Sequence, residues 1–183
     1  ENLGRLLKLM LQDLARWHKN TPEKATKDQP ALGPYDKEGK GSVEQPKLGF
    51  ALTYDDNGKP QTFVDHTAFK DLLFGWHKNI NSTLRECLGD SEWMHIRNAI
   101  TVLKSVLDVF PAIDFMAKGF KTQLETIAER EQASKTASDG GEHNRVDLSV
   151  AAQGAMSELQ RRKANWVMVQ AFRTNAVRRN GLM

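Results

Sequence analysis

A single cysteine, Cys87, among 183 residues leaves no partner for an internal disulfide and fits a chain kept in a reducing compartment. No apolar run approaches the roughly 18 residues needed to cross a bilayer, and no secretory leader pattern opens the chain. A glycine-rich phosphate loop and a nucleophile elbow are both missing. His18, His66, His77, His95 and His143 show no paired short spacing, so beside a lone thiol the ligand count for zinc fails. Cys87 falls in the last turn of an expected helix, an end that does not activate a nucleophile. Together these absences leave no foothold for catalytic residues, a cofactor, a metal, a small-molecule substrate or a membrane anchor.

What is present is ordinary for a soluble globular chain: 39% apolar and 27% charged residues, which argues against disorder throughout. The length suits one sizeable core or a helical array that shares none. The chain opens on Glu1 with helical periodicity at once, which reads as an internal fragment of something longer. The net charge of +3 is uneven. Residues 158–183 carry Arg161, Arg162, Lys163, Arg173, Arg178 and Arg179 against Glu158 alone, a local surplus of +5.

Leu3, Leu6, Leu7, Met10, Leu11, Leu14 and Trp17 recur at steps of three and four, which predicts an amphipathic helix over residues 2–19. Five of the six prolines then fall between residues 22 and 60, so 21–64 reads as a long irregular loop. Within it, residues 50–54 and 61–64 flank Asp56, Asn57 and Gly58, a turn signal able to close a short hairpin. Asp65 can cap a helix with the apolar face Phe69, Leu72, Leu73, Trp76, Ile80, Leu84 and Leu88, ending at Gly89 in a left-handed cap. Ser91 restarts a helix whose apolar positions, from Trp93 through Ile96, Ile100, Leu103 and Val106 to Phe110, cover about half its circumference. This helix should be the most buried, and Pro111 stops it. Asp114 can cap a successor facing inward through Phe115, Phe120, Leu124 and Ile127. Residues 132–145 read as a linker, Asp147 opens another helix, and 166–177 reads as a last, basic one. The fold class is all-α: stacked antiparallel helices, solenoid-like, in three stretches at 1–20, 21–64 and 65–183.

Several motifs invite a functional reading. The tetrapeptide Trp-His-Lys-Asn occurs at Trp17 and again at Trp76, but the first copy ends its helix and the second continues, so chance or convergent packing explains it better than a repeat. Glu92 and His95 have a spacing used by carboxylate-bridged iron sites, yet the second copy such a site needs is missing. His95, Arg97 and Asn98 surround Ile96 on the buried helix, and polar groups so placed are rarely unpaired, so they read as structural locks, with partner contact as the second reading. Trp76 and His77 are further candidates for packing or partner contact. The basic segment can neutralise phosphates, with Trp166 and Phe172 for stacking, although on one uninterrupted helix the six cations point in several directions.

The runs Trp76-His77-Lys78, Cys87-Leu88, Glu92-Trp93-Met94-His95-Ile96-Arg97-Asn98, Val102-Leu103 and Phe110-Pro111 resemble the C-terminal helical region of the THO complex subunit 2 family. Gly49-Phe50 with the run from Phe63 to Phe69 upstream, and Leu159-Gln160-Arg161-Arg162-Lys163 with Trp166-Val167 downstream, are similar to the same region, so the likeness covers roughly residues 48–170. That resemblance implies a nuclear scaffold of the THO and TREX assemblies, acting in co-transcriptional mRNA packaging and export. The implied partners are other THO complex subunits and, through the complex, a DEAD-box RNA helicase and an mRNA export adaptor. The family has no catalytic residues to carry over, and its nucleic-acid contact, RNA or DNA, lies toward the C-terminal end. An autonomous RNA-binding helical module is the competing reading.

Overall fold

The computed structural model describes residues 2–19, 51–64, 66–137 and 146–172. The periodic segments become α1 (Asn2–Lys19), α2 (His66–Leu88), α3 (Trp93–Val106), α4 (Asp114–Ala137) and α5 (Val146–Arg161), with 3-10 turns at Lys163–Asn165 and Val169–Ala171. The alternating segments become β1 (Ala51–Tyr54) and β2 (Pro60–Phe63), an antiparallel pair. The fold is all-α with this one small sheet among the described residues. No helix among them is long and apolar enough to cross a membrane. The expected loop between 21 and 50 and the Asp65 cap lie outside the described residues.

Two compact units divide the chain, Glu1–Leu11 with His77–Val169 and Gln12–Trp76 with Gln170–Met183. In the first, Ile96, Ala99, Ile100, Leu103 and Val106 form the buried face of α3. Met116, Ala117, Phe120, Leu124 and Ile127 of α4 and Leu148, Ala152, Ala155 and Leu159 of α5 are buried with them. Phe110 meets Phe120 edge-on, ring centres 5.8 Å apart at 71°. Helix α5 packs against both α3 and α4. Arg97 pairs with Asp147, Lys104 reaches the space beside Gly154, and Asp108 pairs with Arg162, so partners rise together along both helices and α3 and α5 run parallel.

Helix ends depart from the pattern for identifiable reasons. Gly89 does not adopt a left-handed conformation; among the described glycines only Gly58 does, at φ 76°. A Cβ at Gly89 would make only ordinary contacts, the nearest 3.4 Å from the Gln123 amide nitrogen, so neither φ nor space requires glycine there. Helix α3 starts at Trp93 and not Ser91, because the Asp90 carboxylate accepts from the Glu92 N–H at 3.0 Å and sets the turn. It ends at Val106, short of Pro111, since a proline ring clashes with the carbonyl four residues back and disfavours helix in the residue before it. Phe110 N–H still closes onto the Val106 carbonyl at 2.9 Å. Helix α4 runs to Ala137, through the first part of the expected linker. Phe115 is 52% exposed, and Met116 and Ala117 take its inward place. The buried Ile113 and the Asp114 N–H, held by the Val167 carbonyl at 3.0 Å, set that rotation.

The second unit contains the hairpin. Gly58 supplies the positive φ that its turn requires. The Asp55 carboxylate accepts from the N–H groups of Asn57 and Lys59 at 2.9 and 2.8 Å, and Thr53 and Thr62 share a hydroxyl hydrogen bond at 2.7 Å across the strands. Val64, Phe69 and Leu73 are buried, and the Trp17 ring is tilted against Phe69 at 6.3 Å.

Two outcomes follow from the first unit. A Cβ on Gly4 would stand 2.1 Å from the Ser105 hydroxyl, so α1 meets α3 here with no room for a methyl group. Overpacking costs about 1–3 kcal/mol, against a helix-propensity gain of up to about 1 kcal/mol for Gly→Ala. Gly4→Ala should therefore lower stability in urea titration, and Gly4→Ala with Ser105→Ala should recover most of the loss. The second concerns Asp90, held at about 2 in place of 3.8, first by the Glu92 N–H and then by the His95 ring 2.8 Å from Oδ2. A carboxylate depressed in the folded state adds stability that is complete above its unfolded pKa and lost as pH falls through the folded one. Urea midpoints should thus fall more between pH 4 and 2 in the wild type than in Asp90→Asn, which should be the less stable of the two at pH 7.

Candidate interaction surface

The expected locking residues fare differently. His95 is exposed and is tied to Asp90, inside its own helix-start turn. Arg97 is exposed on one side and donates to the Asp147 carboxylate, joining α3 to α5 at the start of α5. Asn98 is exposed. Glu92 is the residue before the first turn of α3, and among the described residues no group of three or more His, Cys, Asp or Glu side chains could hold a metal ion. The two Trp-His-Lys-Asn copies have different surroundings. Trp17 meets Phe69, and His18 stacks on Phe172 with ring centres 4.4 Å apart. Trp76 is half-buried, and the buried His77 ring sits 5.4 Å from Phe110.

In its described part, residues 162–172, the basic segment forms no α-helix. After α5 the chain makes a 3-10 turn and then extends, with Val167 N–H donating to the Ala112 carbonyl at 2.9 Å. This pairing with the α3–α4 connection, the parallel bridge between Ile113 and Val167, takes the backbone out of helical register. Phe172 is 3% exposed and stacked on His18, so it offers no face to a nucleic-acid base. Arg162 is half-buried and donates to Asp108 at 2.5 Å, so its charge is spent inside the unit. Arg161 and Lys163 on either side are exposed. Arg173, Arg178 and Arg179 lie outside the described residues.

Asp108 is the residue the sequence reading passed over. It stands just past α3 and accepts from Lys8 of α1 and Arg162 at the end of α5, each at 2.5 Å. The Lys8 ammonium, then the Arg162 guanidinium, holds its carboxyl below the usual carboxylate range. The only local signal was a lone acid between Leu107 and Val109. A second clasp joins α2 to α4: Arg85 Nε donates to Gln123 Oε1 at 3.2 Å, and the Gln123 amide returns a bond to the Arg85 carbonyl at 2.6 Å. The guanidinium lies over Gly119, where a Cβ would come within 3.2 Å of it. Between α3 and α5 the surface forms a solvent-open groove of about 380 Å³, lined by Arg97, Thr101, Lys104, Asp147 and Val150 among others. These features leave helix faces fixed in register, with exposed apolar and basic side chains.

A family model described as transcription factor/nuclear export subunit protein 2 matches residues 1–159, from α1 through nearly all of α5. THO complex subunit 2 of Mus musculus and that of Homo sapiens are each 25% identical over 169 residues, 92% of this chain and 9% of theirs. THO complex subunit 2 of Arabidopsis thaliana is 32% identical over 125 residues, 68% of this chain and 6% of its own. The chain therefore spans less than a tenth of the length of the relatives it matches, and no solved structure matches it. With the family match running across α1, both units and the α3–α5 packing, the chain belongs to the transcription factor/nuclear export subunit protein 2 family.

Proposed function

We propose that this chain is a non-catalytic helical scaffold element of a nuclear THO complex, acting within the TREX assembly in mRNA packaging and export. The observation that carries this reading is the family match over residues 1–159 together with relatives named THO complex subunit 2. Its direct partners in this reading are other THO subunits, and a DEAD-box helicase and an export adaptor are reached through the complex. Helical surfaces set in register by exposed ion pairs suit that work, since they present side chains to a partner without a reaction centre. Trp76, His77, His95, Arg97 and Asn98 serve it by holding or edging α2 and α3.

Nucleic acid is a secondary ligand in this reading. Arg161 and Lys163, exposed at and just past the end of α5, are the described cations proposed for phosphate, and Arg173, Arg178 and Arg179, outside the described residues, are proposed with them on the charge of the sequence alone. Arg162 is left out because Asp108 holds it.

Co-expression of this chain with the other THO subunits should yield a complex that stays together in size-exclusion chromatography. Failure to retain any subunit would move the scaffold role to other parts of the parent protein. For single-stranded RNA followed by anisotropy, Arg161→Glu with Lys163→Glu should weaken binding. It should also flatten the slope of log K against log salt by about 1.4, two contacts at roughly 0.7 each. Unchanged affinity removes the patch. Tight RNA binding by a chain that retains no THO subunit would favour the autonomous RNA-binding module.

A further inference from the structure

Helix α1 presents an apolar stripe to solvent: Leu3 is 67% exposed, Leu6 57%, Leu9 57% and Met10 54%. The exposure is built in, because the opposite side of the same turns is anchored three times. Gly4 lies tight against Ser105, Lys8 is paired with Asp108, and Leu11 is buried at 2%. These anchors belong to the first unit, so they fix which way residues 3–10 face. The spacing of Leu3, Leu6 and Met10 is the seam by which one helix receives another, knobs into holes.

Charge selects the occupant. Residues 2–11 contain Arg5 and Lys8 and no carboxylate, and the first turn holds no acidic residue to complement its unpaired N–H groups. Lys8 is spent on Asp108, which leaves the exposed Arg5 beside the stripe with no partner among the described residues. A second copy of residues 2–11 would bring only more cations to this surface, and the one carboxylate of the described helix, Asp13, is taken by Arg16 three residues on at 3.4 Å. Four apolar side chains over two turns make a small face for a lipid surface. We propose that the stripe Leu3, Leu6, Leu9 and Met10 receives an amphipathic helix of another protein, with leucine-sized residues on its seam and glutamate or aspartate along its flank toward Arg5. This deepens the scaffold reading and rests on it.

The test uses the full chain and a labelled synthetic helix with leucines on its seam and glutamates on its flanks, beside the same helix with lysines for glutamates. Anisotropy should show the glutamate form bound at least about threefold more tightly, the scale of a few exposed charge pairs. Arg5→Glu should reverse that preference. Leu6→Ser with Met10→Ser should weaken binding at least about tenfold, since each side chain covered contributes on that scale, with circular dichroism and urea midpoint unchanged. Equal affinity for the two peptides, or binding untouched by the double variant, overturns the proposal. Self-association lost in the double variant overturns it in favour of a second copy. Binding to phosphatidylserine–phosphatidylcholine vesicles in place of the peptide assigns the stripe to a membrane. If the double variant loses no peptide affinity yet the chain still retains THO subunits, the stripe proposal fails and the scaffold reading stands.

Discussion

A helix whose apolar side chains cover about half its circumference has to be covered from more than one direction, and α3 imposes that condition on the first unit. Ile96, Ala99, Ile100, Leu103 and Val106 are buried, and Phe110 and Ile113 continue the buried line past the helix end. Removing one such side chain costs on the order of 2–5 kcal/mol, far more than any exposed ion pair contributes. The placement of α5 against both α3 and α4, and of the first turns of α1 against Ser105, follows from that need for cover.

The polar contacts have a different task. Arg97 with Asp147, Asp108 with Lys8 and Arg162, and Arg85 with Gln123 all lie at the rim, partly in water, where each is worth about 0–1 kcal/mol. Apolar packing alone tolerates sliding by a turn; a carboxylate that must meet two cations does not. Asp108 therefore fixes register more than it adds stability, and it captures Arg162 while Arg161 and Lys163 on either side stay exposed.

Anchoring and exposure are two sides of one arrangement in α1. The contacts that hold Gly4, Lys8 and Leu11 inward are what turn Leu3, Leu6 and Met10 outward. In the scaffold role proposed above, this gives a docking face whose orientation is set by the body that carries it. The exposed Arg161 and Lys163 at the other end of the unit's sequence offer a second, purely electrostatic surface.

Periodicity and turn chemistry, which act over a few residues, sufficed to determine the five helices, the hairpin around Asn57-Gly58 and the all-α class. The runs between Trp76 and Pro111, with 92–98 the most specific of them, together pointed to the family. What only the tertiary structure decided lies where distant groups compete with local preference. Val167 pairs with the α3–α4 connection and so breaks the expected basic helix, Phe172 is drawn under His18, and Phe115 yields its inward place to Met116. Gly89 follows α2 without the left-handed cap that its place in the sequence suggested. The Asp108 hub joins residues 100 and 54 positions apart in the chain. No local pattern carries such a pairing, because its partners become neighbours only after the apolar face of α3 has been covered.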